Sequence, residues 1–262
     1  TQLIPRSVTD LRLRTTSGGT GFWKSLLPHF PPGLLRFNPN EKFFCSMPMC
    51  CDLPRALLTL EGLNLHSATK EALESLPPRL SLQNTILIGL GLLPHLKQPP
   101  TSVFIRSENI GESPLPTSIT KLNCSGGSRV PFSSSLFPTQ LQPLIHLKSL
   151  RIDADDQGFI VDEHSLACIP AGLTKLSLLI PNLAYSPAFF AALPRGLTSA
   201  QLISTAEFTL TEKDARELPP KLEHLDIRNY GKSCNLKASW FSHLPSSITR
   251  LTVCMPIIDT VG

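Results

Sequence analysis

The sequence has few aromatic residues, few charged residues and no long apolar segment. Aromatic residues make up 6% of the 262 positions and charged residues 17%. The longest purely apolar run, residues 86–93, is eight residues long, whereas a membrane-spanning helix needs about 20. No membrane span is therefore predicted. The net charge of +4 is far from the clustered basic excess of a dedicated nucleic-acid-binding protein, and no nucleic-acid partner is expected.

Cysteine is present in an odd number, seven, at irregular spacing. Secreted disulfide-rich domains usually have an even, regularly spaced set, so the pattern favours an intracellular, reducing setting. Cys45, Cys50 and Cys51 resemble half of a zinc site, to which His29 or His66 would be conceivable additions. A second C-x-x-C or C-x-x-H half is missing nearby, so we predict buried or incidental cysteines and no metal site.

Other signals for cofactors or catalysis are incomplete. Gly89 and Gly91 form a lone G-x-G without the third glycine or the acidic residue of a dinucleotide site. Asp153, Asp155 and Asp156 lack the alternating carboxylates of a calcium loop and are interpreted as a solvated turn. Nucleophile elbows of the G-x-S-x-G type are missing as well. We expect no cofactor and no catalytic activity.

Leucine and proline are abundant instead, at 45 and 25 positions. The 41% hydrophobic content argues against a disordered chain. Prolines spread along the whole length interrupt long helices, which excludes a helical bundle.

The abundant residues fall into an internal repeat. Its template begins with an apolar residue, a proline, two variable residues and an aliphatic residue. The next position is often threonine. A variable residue, a position that is usually leucine, a second variable residue and a final apolar residue complete the template. The clearest copies are 4–13, 115–124, 169–178, 193–202, 218–227 and 244–253, with weaker copies at 30–39, 53–62, 76–85 and 142–152. We take the first aliphatic residue of each copy as its anchor. The anchors are Val8, Leu34, Leu57, Leu80, Ile119, Leu147, Leu173, Leu197, Leu222 and Ile248.

The spacing of these anchors measures the length of the repeat. Successive anchors are 23 to 28 residues apart, except for one step of 39 that predicts a degenerate copy near Leu96 or Val103. With that copy the mean spacing is 24 residues, within the 20 to 29 residues of leucine-rich repeats.

Each copy divides into a strand and a short helix. The L-x-L segment puts two apolar side chains on one face of a strand, and these strands would stack in parallel. Ser186 with Pro187 predicts a helix start, and Thr211 with Asp214 a capping box. At least one aromatic ring in each of the pairs 189–190 and 240–241 must face inward. Apolar residues four positions before a proline should face inward too: Leu73, Leu166, Phe190 and Phe241.

These motifs resemble the leucine-rich repeat family, in its proline-bearing L-P-x-x-L-x-x-L-x-L variety, along essentially the whole chain. The mean period is more similar to repeats of eukaryotic microbes than to those of bacterial effectors. The usual signature continues to a buried asparagine, but the corresponding positions here are Thr16, Gly127, Asp155, Pro181, Tyr230 and Pro256.

The resemblance implies an α/β fold. We predict a right-handed β-α solenoid, or horseshoe, with a parallel sheet on its concave face and short helices or 3-10 turns on its convex face. Residues 1–262 would form a single solenoid of ten to eleven repeats, an excerpt of a longer protein lacking its caps.

Side chains that alternate with the inward leucines would point out of the concave face. That surface is continuous in a solenoid and suits an extended macromolecular partner. Basic residues outnumber acidic ones there, so an acidic protein surface would be complementary. The candidate binding residues are Arg12, Lys121, Arg151, Lys175, Gln201, His224, Asp226, Arg228 and Arg250.

The sequence therefore predicts a non-catalytic protein-interaction module, an adaptor or sensor that binds a protein partner through its concave face. Two alternatives stay open. The chain would be the substrate-recognition part of a larger enzyme, such as a ubiquitin ligase with similar repeats, or a structural spacer that binds nothing.

Overall fold

The computed structural model describes residues 4–13, 22, 25–39, 43–44, 50–64, 68–83, 85–87, 96–106, 114–126, 136–155, 159–183, 185–206, 208–230, 234–236 and 238–254. These residues form two compact units. Unit 1 comprises Thr1–Ile105 and Asn109–Ile119, and unit 2 comprises Arg106–Glu108 and Thr120–Gly262. The single solenoid over 1–262 stays a prediction.

Unit 1 is built from short parallel strands. In chain order these are β1 (Asp10–Arg12), β2 (Arg36–Asn38), β3 (Phe43–Phe44), β4 (Thr59–Glu61), β5 (Leu63–Asn64), β6 (Ser81–Gln83), β7 (Thr85–Leu87) and β8 (Ser102–Arg106). One ladder runs β1-β2-β4-β6 and a second runs β3-β5-β7-β8. Gly62, with a φ of 67°, lies between β4 and β5. A left-handed residue here lets the chain leave one ladder and join the other.

The inward positions of unit 1 follow the predicted template except on β6, where Leu82 comes two rather than three residues after the anchor Leu80. Leu11, Phe37, Leu60 and Leu82 occupy matching positions on neighbouring strands. The last three are buried.

The degenerate copy exists, and its anchor differs from both proposed positions. Val103 and Ile105 of β8 are buried and pair with β7. Pro100, also buried, lies three residues before Val103, where the other copies have the aliphatic anchor. Leu96 is the buried apolar residue that opens the copy. A proline at the anchor hides this repeat from a search for leucine.

Unit 2 contains longer and more regular strands. In chain order these are β9 (Lys121–Gly126), β10 (Ser149–Ala154), β11 (Ile160–Val161), β12 (Lys175–Leu179), β13 (Asn182–Leu183), β14 (Ser199–Ser204), β15 (Phe208–Leu210), β16 (His224–Asn229), β17 (Cys234–Leu236) and β18 (Arg250–Cys254). The main sheet runs β9-β10-β12-β14-β16-β18 in parallel. The pairs β11-β13 and β15-β17, which the template did not predict, form separate two-stranded sheets.

Each strand of the main sheet has two positions whose side chains face the core. The first contains Leu122, Leu150, Leu176, Ala200, Leu225 and Leu251, and the second contains Cys124, Ile152, Leu178, Leu202, Ile227 and Val253. All are buried except Leu251 and Val253 on β18, which are half-buried. The predicted strand phase is therefore confirmed.

Short helices return the chain between strands. They are α1 (Lys70–Ser75), α2 (Glu163–Ala167), α3 (Pro187–Ala192) and α4 (Glu212–Arg216), with 3-10 turns at Leu27–His29 and Ala238–His243 and a π-helical turn at Leu136–Leu141. In unit 2, α2, α3, α4 and the last 3-10 turn pack on one another in sequence.

The helix starts agree with the predicted caps. Ser186 Oγ accepts a hydrogen bond from Phe189 N at 3.0 Å, and Asp214 accepts one from Thr211 N. Asp162, a cap that the template did not predict, accepts one from Ser165 N at 2.9 Å. That bond lowers the pKa of Asp162 from its ordinary value. Thr69 Oγ1 likewise accepts a hydrogen bond from Ala72 N at 3.3 Å, so local side chains begin all four of these α-helices.

Most of the predicted inward helical residues are buried, with one exception. Leu73, Leu166 and Phe190 are buried, whereas Phe241 is 47% exposed and its neighbour Trp240 is fully buried. The residues around Trp240 form a 3-10 turn, in which successive side chains rotate by about 120° rather than about 100°. The prediction for Phe241 was wrong because it assumed the helical period of the other copies.

Each proline opens a tight turn into the next strand. Its carbonyl accepts a hydrogen bond of 3.0–3.2 Å from the N–H of the anchor three residues later. The anchors concerned are Val8, Leu34, Leu57, Leu80, Ile119, Leu173, Leu197, Leu222 and Ile248. Before Pro194, Leu193 takes the extended conformation that a following proline imposes, and α3 ends there.

The threonine that often follows the anchor links neighbouring repeats. Thr174 Oγ1 donates to Lys148 O at 2.9 Å, and Thr198 Oγ1 to Thr174 O at 3.3 Å. Thr249 Oγ1 likewise donates to Glu223 O at 3.2 Å. Each of these carbonyls also accepts two backbone N–H groups of the next repeat. The hydroxyls are therefore additional ties along the stack.

Buried polar side chains lie one position before the place at which the usual signature has a buried asparagine. Ser204 and Asn229 are paired across β14 and β16 and are 1% exposed. Ser204 Oγ donates to Pro181 O at 2.7 Å, and Asn229 Nδ2 to Ala206 O at 2.7 Å. These bonds fix the turns that follow the strands. Among the expected asparagine positions, Thr16, Gly127 and Pro256 lie outside the described residues.

The cysteines differ in environment. Cys50 is disulfide-bonded. The intracellular, reducing setting that the cysteine number favours stays a prediction. Burial raises the pKa of the Cys124 thiol to about 12. Cys51, Cys124, Cys168 and Cys254 are free.

Several sequence features lie outside the described residues: Arg14, Cys45, His66, residues 89–91 and Asp156. Within the described ranges, no helix has the length and apolar character needed to cross a membrane. Both units consist of parallel strands with short helices or turns between them, which is the predicted α/β class of fold.

Candidate functional site

The outward side chains of the main sheet in unit 2 form three rows, which we call the concave face. The first row contains Lys121, Ser149, Lys175, Ser199, His224 and Arg250. The second row contains Asn123, Arg151, Ser177, Gln201, Asp226 and Thr252, and the third contains Ser125, Asp153, Leu179, Ile203, Arg228 and Cys254. The rows arise because side chains alternate between the two faces of a strand.

The first and second rows line a depression of about 650 Å³. Arg228 of the third row reaches it as well, whereas Leu179 and Ile203 do not line it. The rows together carry five basic and two acidic side chains. The floor of the depression is thus polar and has a net positive charge.

Polar side chains of the second row form a continuous hydrogen-bonded network. Ser177 Oγ donates to Gln201 Oε1 at 2.8 Å, and Gln201 Nε2 donates to Asp226 Oδ2 at 2.9 Å. Arg228 Nε and Nη2 donate to the two oxygens of Asp226 at 2.8 and 3.0 Å. These contacts orient the amide of Gln201 and the carboxylate of Asp226 before any partner arrives.

The two arginines in the middle of the face already have anionic partners. Arg228 makes its bidentate pair with Asp226, which raises the pKa of Arg228 above its ordinary value. Arg151 Nη2 lies 3.0 Å from Asp153 Oδ2. Since both charges are largely compensated within the chain, neither arginine is the strongest attraction for an external anion.

The cations of the first row are unpaired. Among the residues that the structure describes, the side chains of Lys121, Lys175 and Arg250 have no hydrogen-bond or ion-pair partner, and all three residues are exposed. His224 is half-buried in the same row. Ser149 and Ser199 occupy the strands between Lys121, Lys175 and His224. This row is therefore the part of the face that is open to an anionic ligand.

Most candidate binding residues from the sequence lie together. The residues that line the depression are Lys121, Arg151, Lys175, Gln201, His224, Asp226, Arg228 and Arg250. Arg12 lies on β1 in unit 1, with Nε 3.6 Å from Asp10 Oδ1, and does not line it. A role of these residues in binding stays a prediction.

The difference between paired and unpaired cations was not visible in the sequence. Arg151, Lys175 and Arg228 were equivalent as outward basic residues, although only Lys175 is unpaired. A signal was present for two of them, since Asp153 and Asp226 stand two positions from Arg151 and Arg228 on the same strand face.

The described residues contain no cluster of three or more metal-ligating side chains. Asp155 is exposed, and Asp153 is engaged by Arg151. Cys50, as a disulfide, cannot act as a zinc thiolate.

One serine lies beside a histidine on the opposite side of unit 2. Ser242 Oγ is 3.1 Å from His243 Nδ1, but the hydroxyl donates to Ser239 O at 2.7 Å. The other ring nitrogen of His243 is 2.7 Å from Arg216 Nη2, whereas the nearest carboxylate oxygen, Glu212 Oε2, is 3.9 Å away and outside hydrogen-bond distance. This arrangement closes the last 3-10 turn and does not activate a nucleophile.

Comparison with known proteins gives structural matches only. Searches found no matching family model and no matching curated protein. An internalin from Listeria monocytogenes, inlF, matches with a TM-score of 0.52 and 15% identity over 95% of this chain and 67% of that chain. The circular leucine-rich repeat protein CroV588 matches with a TM-score of 0.50 and 18% identity over 87% of this chain and 34% of that chain.

A third structure, the leucine-rich repeat-containing protein LegL7 from Legionella pneumophila, has a TM-score of 0.39 and 13% identity over 87% of this chain and 85% of that chain. The matches to inlF and CroV588, with TM-scores of 0.52 and 0.50, describe the fold alone at these identities. Together with the parallel ladders, the short helices and the leucine pattern, they show that this chain has the leucine-rich repeat fold, an α/β solenoid.

Proposed function

We propose that the chain is a non-catalytic protein-interaction module whose concave face binds an acidic protein. The observation that carries the proposal is the first row, in which Lys121, Lys175 and Arg250 are exposed and unpaired. Positive charge on a continuous curved sheet attracts an acidic surface and accelerates its association.

The second row supports specificity rather than attraction. Its Ser177–Gln201–Asp226 network is already ordered, so the side chains lose little conformational freedom on binding. Remaining donors and acceptors of these groups face the depression and can bond to the backbone of a partner.

The proposal includes an adaptor or sensor role within a larger chain. It also assigns the repeats to the proline-bearing variety of leucine-rich repeats. The turn that each proline opens supports that subfamily. The intracellular setting predicted from the sequence is not required for binding. Substrate recognition for a larger enzyme remains the alternative, and it uses the same face.

A charge-reversal experiment tests the proposal. The test variant combines Lys121→Glu, Lys175→Glu and Arg250→Glu, and the matched control combines Arg79→Glu, Lys213→Glu and Lys221→Glu. Arg79, Lys213 and Lys221 are exposed and do not line the depression. Both variants change the net charge by the same amount, and circular dichroism checks their folding.

In pull-downs from cell extract quantified by mass spectrometry, we expect acidic proteins captured by the wild type to fall at least about tenfold with the test variant. Capture by the control variant should be unchanged. Equal capture by both variants and the wild type would refute binding through the concave face.

A further inference from the structure

We propose that Lys121, Ser149 and Lys175 bind the phosphate group of a phosphoserine or phosphothreonine on the partner protein. The inference rests on the proposed function and names the chemical group that the first row recognises. It depends on which residues of the row are direct neighbours across the sheet and on which of their donors are uncommitted.

The three residues lie side by side on adjacent strands. Ser149 on β10 is in register with Lys121 of β9 on one side and with Lys175 of β12 on the other. Neighbouring strands are about 4.8 Å apart, so each lysine is one strand away from the serine. All three residues line the depression. The flexible stem of each lysine therefore lets both ammonium groups reach one anion above Ser149.

The donors of this site are available to a partner. Within the described part of the chain, no side chain makes a hydrogen bond or ion pair with Lys121, Lys175 or the Ser149 hydroxyl. The three strands carry one carboxylate, that of Asp153 in the third row, and Arg151 Nη2 donates to it at 3.0 Å. An anion from a partner therefore meets no competing carboxylate in the first row of these strands.

A phosphate monoester matches the site in charge and in hydrogen-bond acceptors. It carries a charge of about −1.5 to −2 at neutral pH and three strong acceptor oxygens. The two lysines supply two positive charges, and together with the serine hydroxyl they supply three donor groups. A carboxylate has one negative charge and two oxygens, so it would leave one of the two cations uncompensated. The site therefore favours a phosphate over the side chain of Asp or Glu.

The rest of the first row lacks this combination. Ser199 also lies between two residues of the row, Lys175 and His224. However, His224 is half-buried, and a histidine has no permanent positive charge. Arg250, on β18, is in register with the same histidine. Within the row, two permanent cations thus flank one hydroxyl at Ser149, which places the phosphate between β9 and β12.

Three fluorescein-labelled peptides test the phosphate assignment. They share one sequence of glycine and glutamate residues and differ only at the central position, which is serine, glutamate or phosphoserine. Fluorescence anisotropy with the wild-type chain should give at least about tenfold tighter binding of the phosphoserine peptide than of either other peptide. Equal affinity of the phosphoserine and glutamate peptides would overturn the assignment.

Single substitutions test where the phosphate binds. Lys121→Met and Lys175→Met should each reduce the preference for phosphoserine at least about threefold, because each removes one of the two charges. Ser149→Ala should reduce it too, whereas the matched control Ser199→Ala should leave it unchanged. Arg250→Met should weaken the binding of all three peptides by a similar factor and retain the preference. A preference that survives in both lysine variants would overturn this site.

Two competitors distinguish the source of the phosphate. Inorganic phosphate should displace the phosphoserine peptide only weakly, because it lacks the other contacts of a peptide. Displacement at the same concentration as unlabelled phosphoserine peptide would indicate a site for free phosphate and overturn the assignment to a protein partner. A single-stranded oligonucleotide that binds as tightly as the phosphoserine peptide would indicate a general polyanion site and would also overturn it.

Phosphatase treatment of the cell extract separates this inference from the proposed function. We expect the treatment to reduce capture by the wild-type chain as strongly as the Lys121→Glu, Lys175→Glu and Arg250→Glu variant does. If capture resists phosphatase but is lost in that triple variant, the phosphate assignment is wrong and the proposed function stands. If capture is the same for the wild type and the triple variant, both proposals fail.

Discussion

At the residue scale, the threonine of the template has a structural role that its position only suggested. Its hydroxyl donates to a carbonyl of the preceding repeat, which already accepts two backbone N–H groups. The same contact recurs at Thr174, Thr198 and Thr249. The template threonine belongs to neither the core nor the concave face. Its hydrogen bond to the preceding repeat therefore explains why it recurs.

We expect Thr174→Val to lower the free energy of unfolding by about 1 kcal/mol, since it removes one hydrogen bond with little change of shape. Thr174→Ser should retain most of the stability. Urea denaturation provides the measurement, with Thr117→Val, an exposed turn position, as the control. If both valine variants unfold at the same urea concentration, the hydroxyl contact has no stabilising role.

Residue identity predicted which side chains face outward but not what they contact. Lys121 to Arg250 fell on the predicted face because strand alternation is a rigid rule. The Gln201–Asp226 bond joins residues 25 positions apart, and its formation depends on rotamers and strand register. Lys175 is unpaired because its direct neighbours on the adjacent strands are Ser149 and Ser199, which only the register reveals.

At the element scale, the sequence was most informative where a local side chain begins or ends an element. The caps at Ser186 and Thr211 and the turn at each proline depend on neighbours within three residues. The prediction for Phe241 was wrong because residues 238–243 form a 3-10 turn, whose side chains rotate by a different angle per residue than those of an α-helix. The two-stranded sheets β11-β13 and β15-β17 were missed because each strand has only two or three residues, too few for a period to appear.

The strands of unit 2 should differ in their sensitivity to truncation. Leu176→Ala, at a position only 3% exposed, should lower the free energy of unfolding by about 2 to 5 kcal/mol. Leu251→Ala should lower it clearly less, because Leu251 on β18 is half-buried. Lys175→Ala, an exposed change, should stay within about 0.5 kcal/mol. Equal losses for Leu176 and Leu251 in thermal or urea unfolding would contradict the burial difference between β12 and β18.

At the scale of the whole molecule, the leucine pattern predicted a repeat fold throughout, and the structure shows that fold in two compact units. Unit 1 departs from the regular pattern where Gly62 redirects the chain and where Pro100 replaces an aliphatic anchor. Unit 2 keeps the six-stranded register without such breaks in its described strands. The concave rows that carry the proposed function lie in this more regular unit.

Repeat stacking also predicts how unit 2 opens. Each coil is stabilised by its neighbours, so a coil with less burial should open without the rest. On β18, Leu251 and Val253 are half-buried, whereas Leu176 and Leu178 on β12 are buried. We expect amide hydrogens of residues 250–254 to exchange at least about tenfold faster than those of 175–179, a difference of about 1.4 kcal/mol in opening free energy. Hydrogen–deuterium exchange with mass spectrometry measures both segments in one digest. Uniform protection of the two would show that unit 2 opens as one cooperative block.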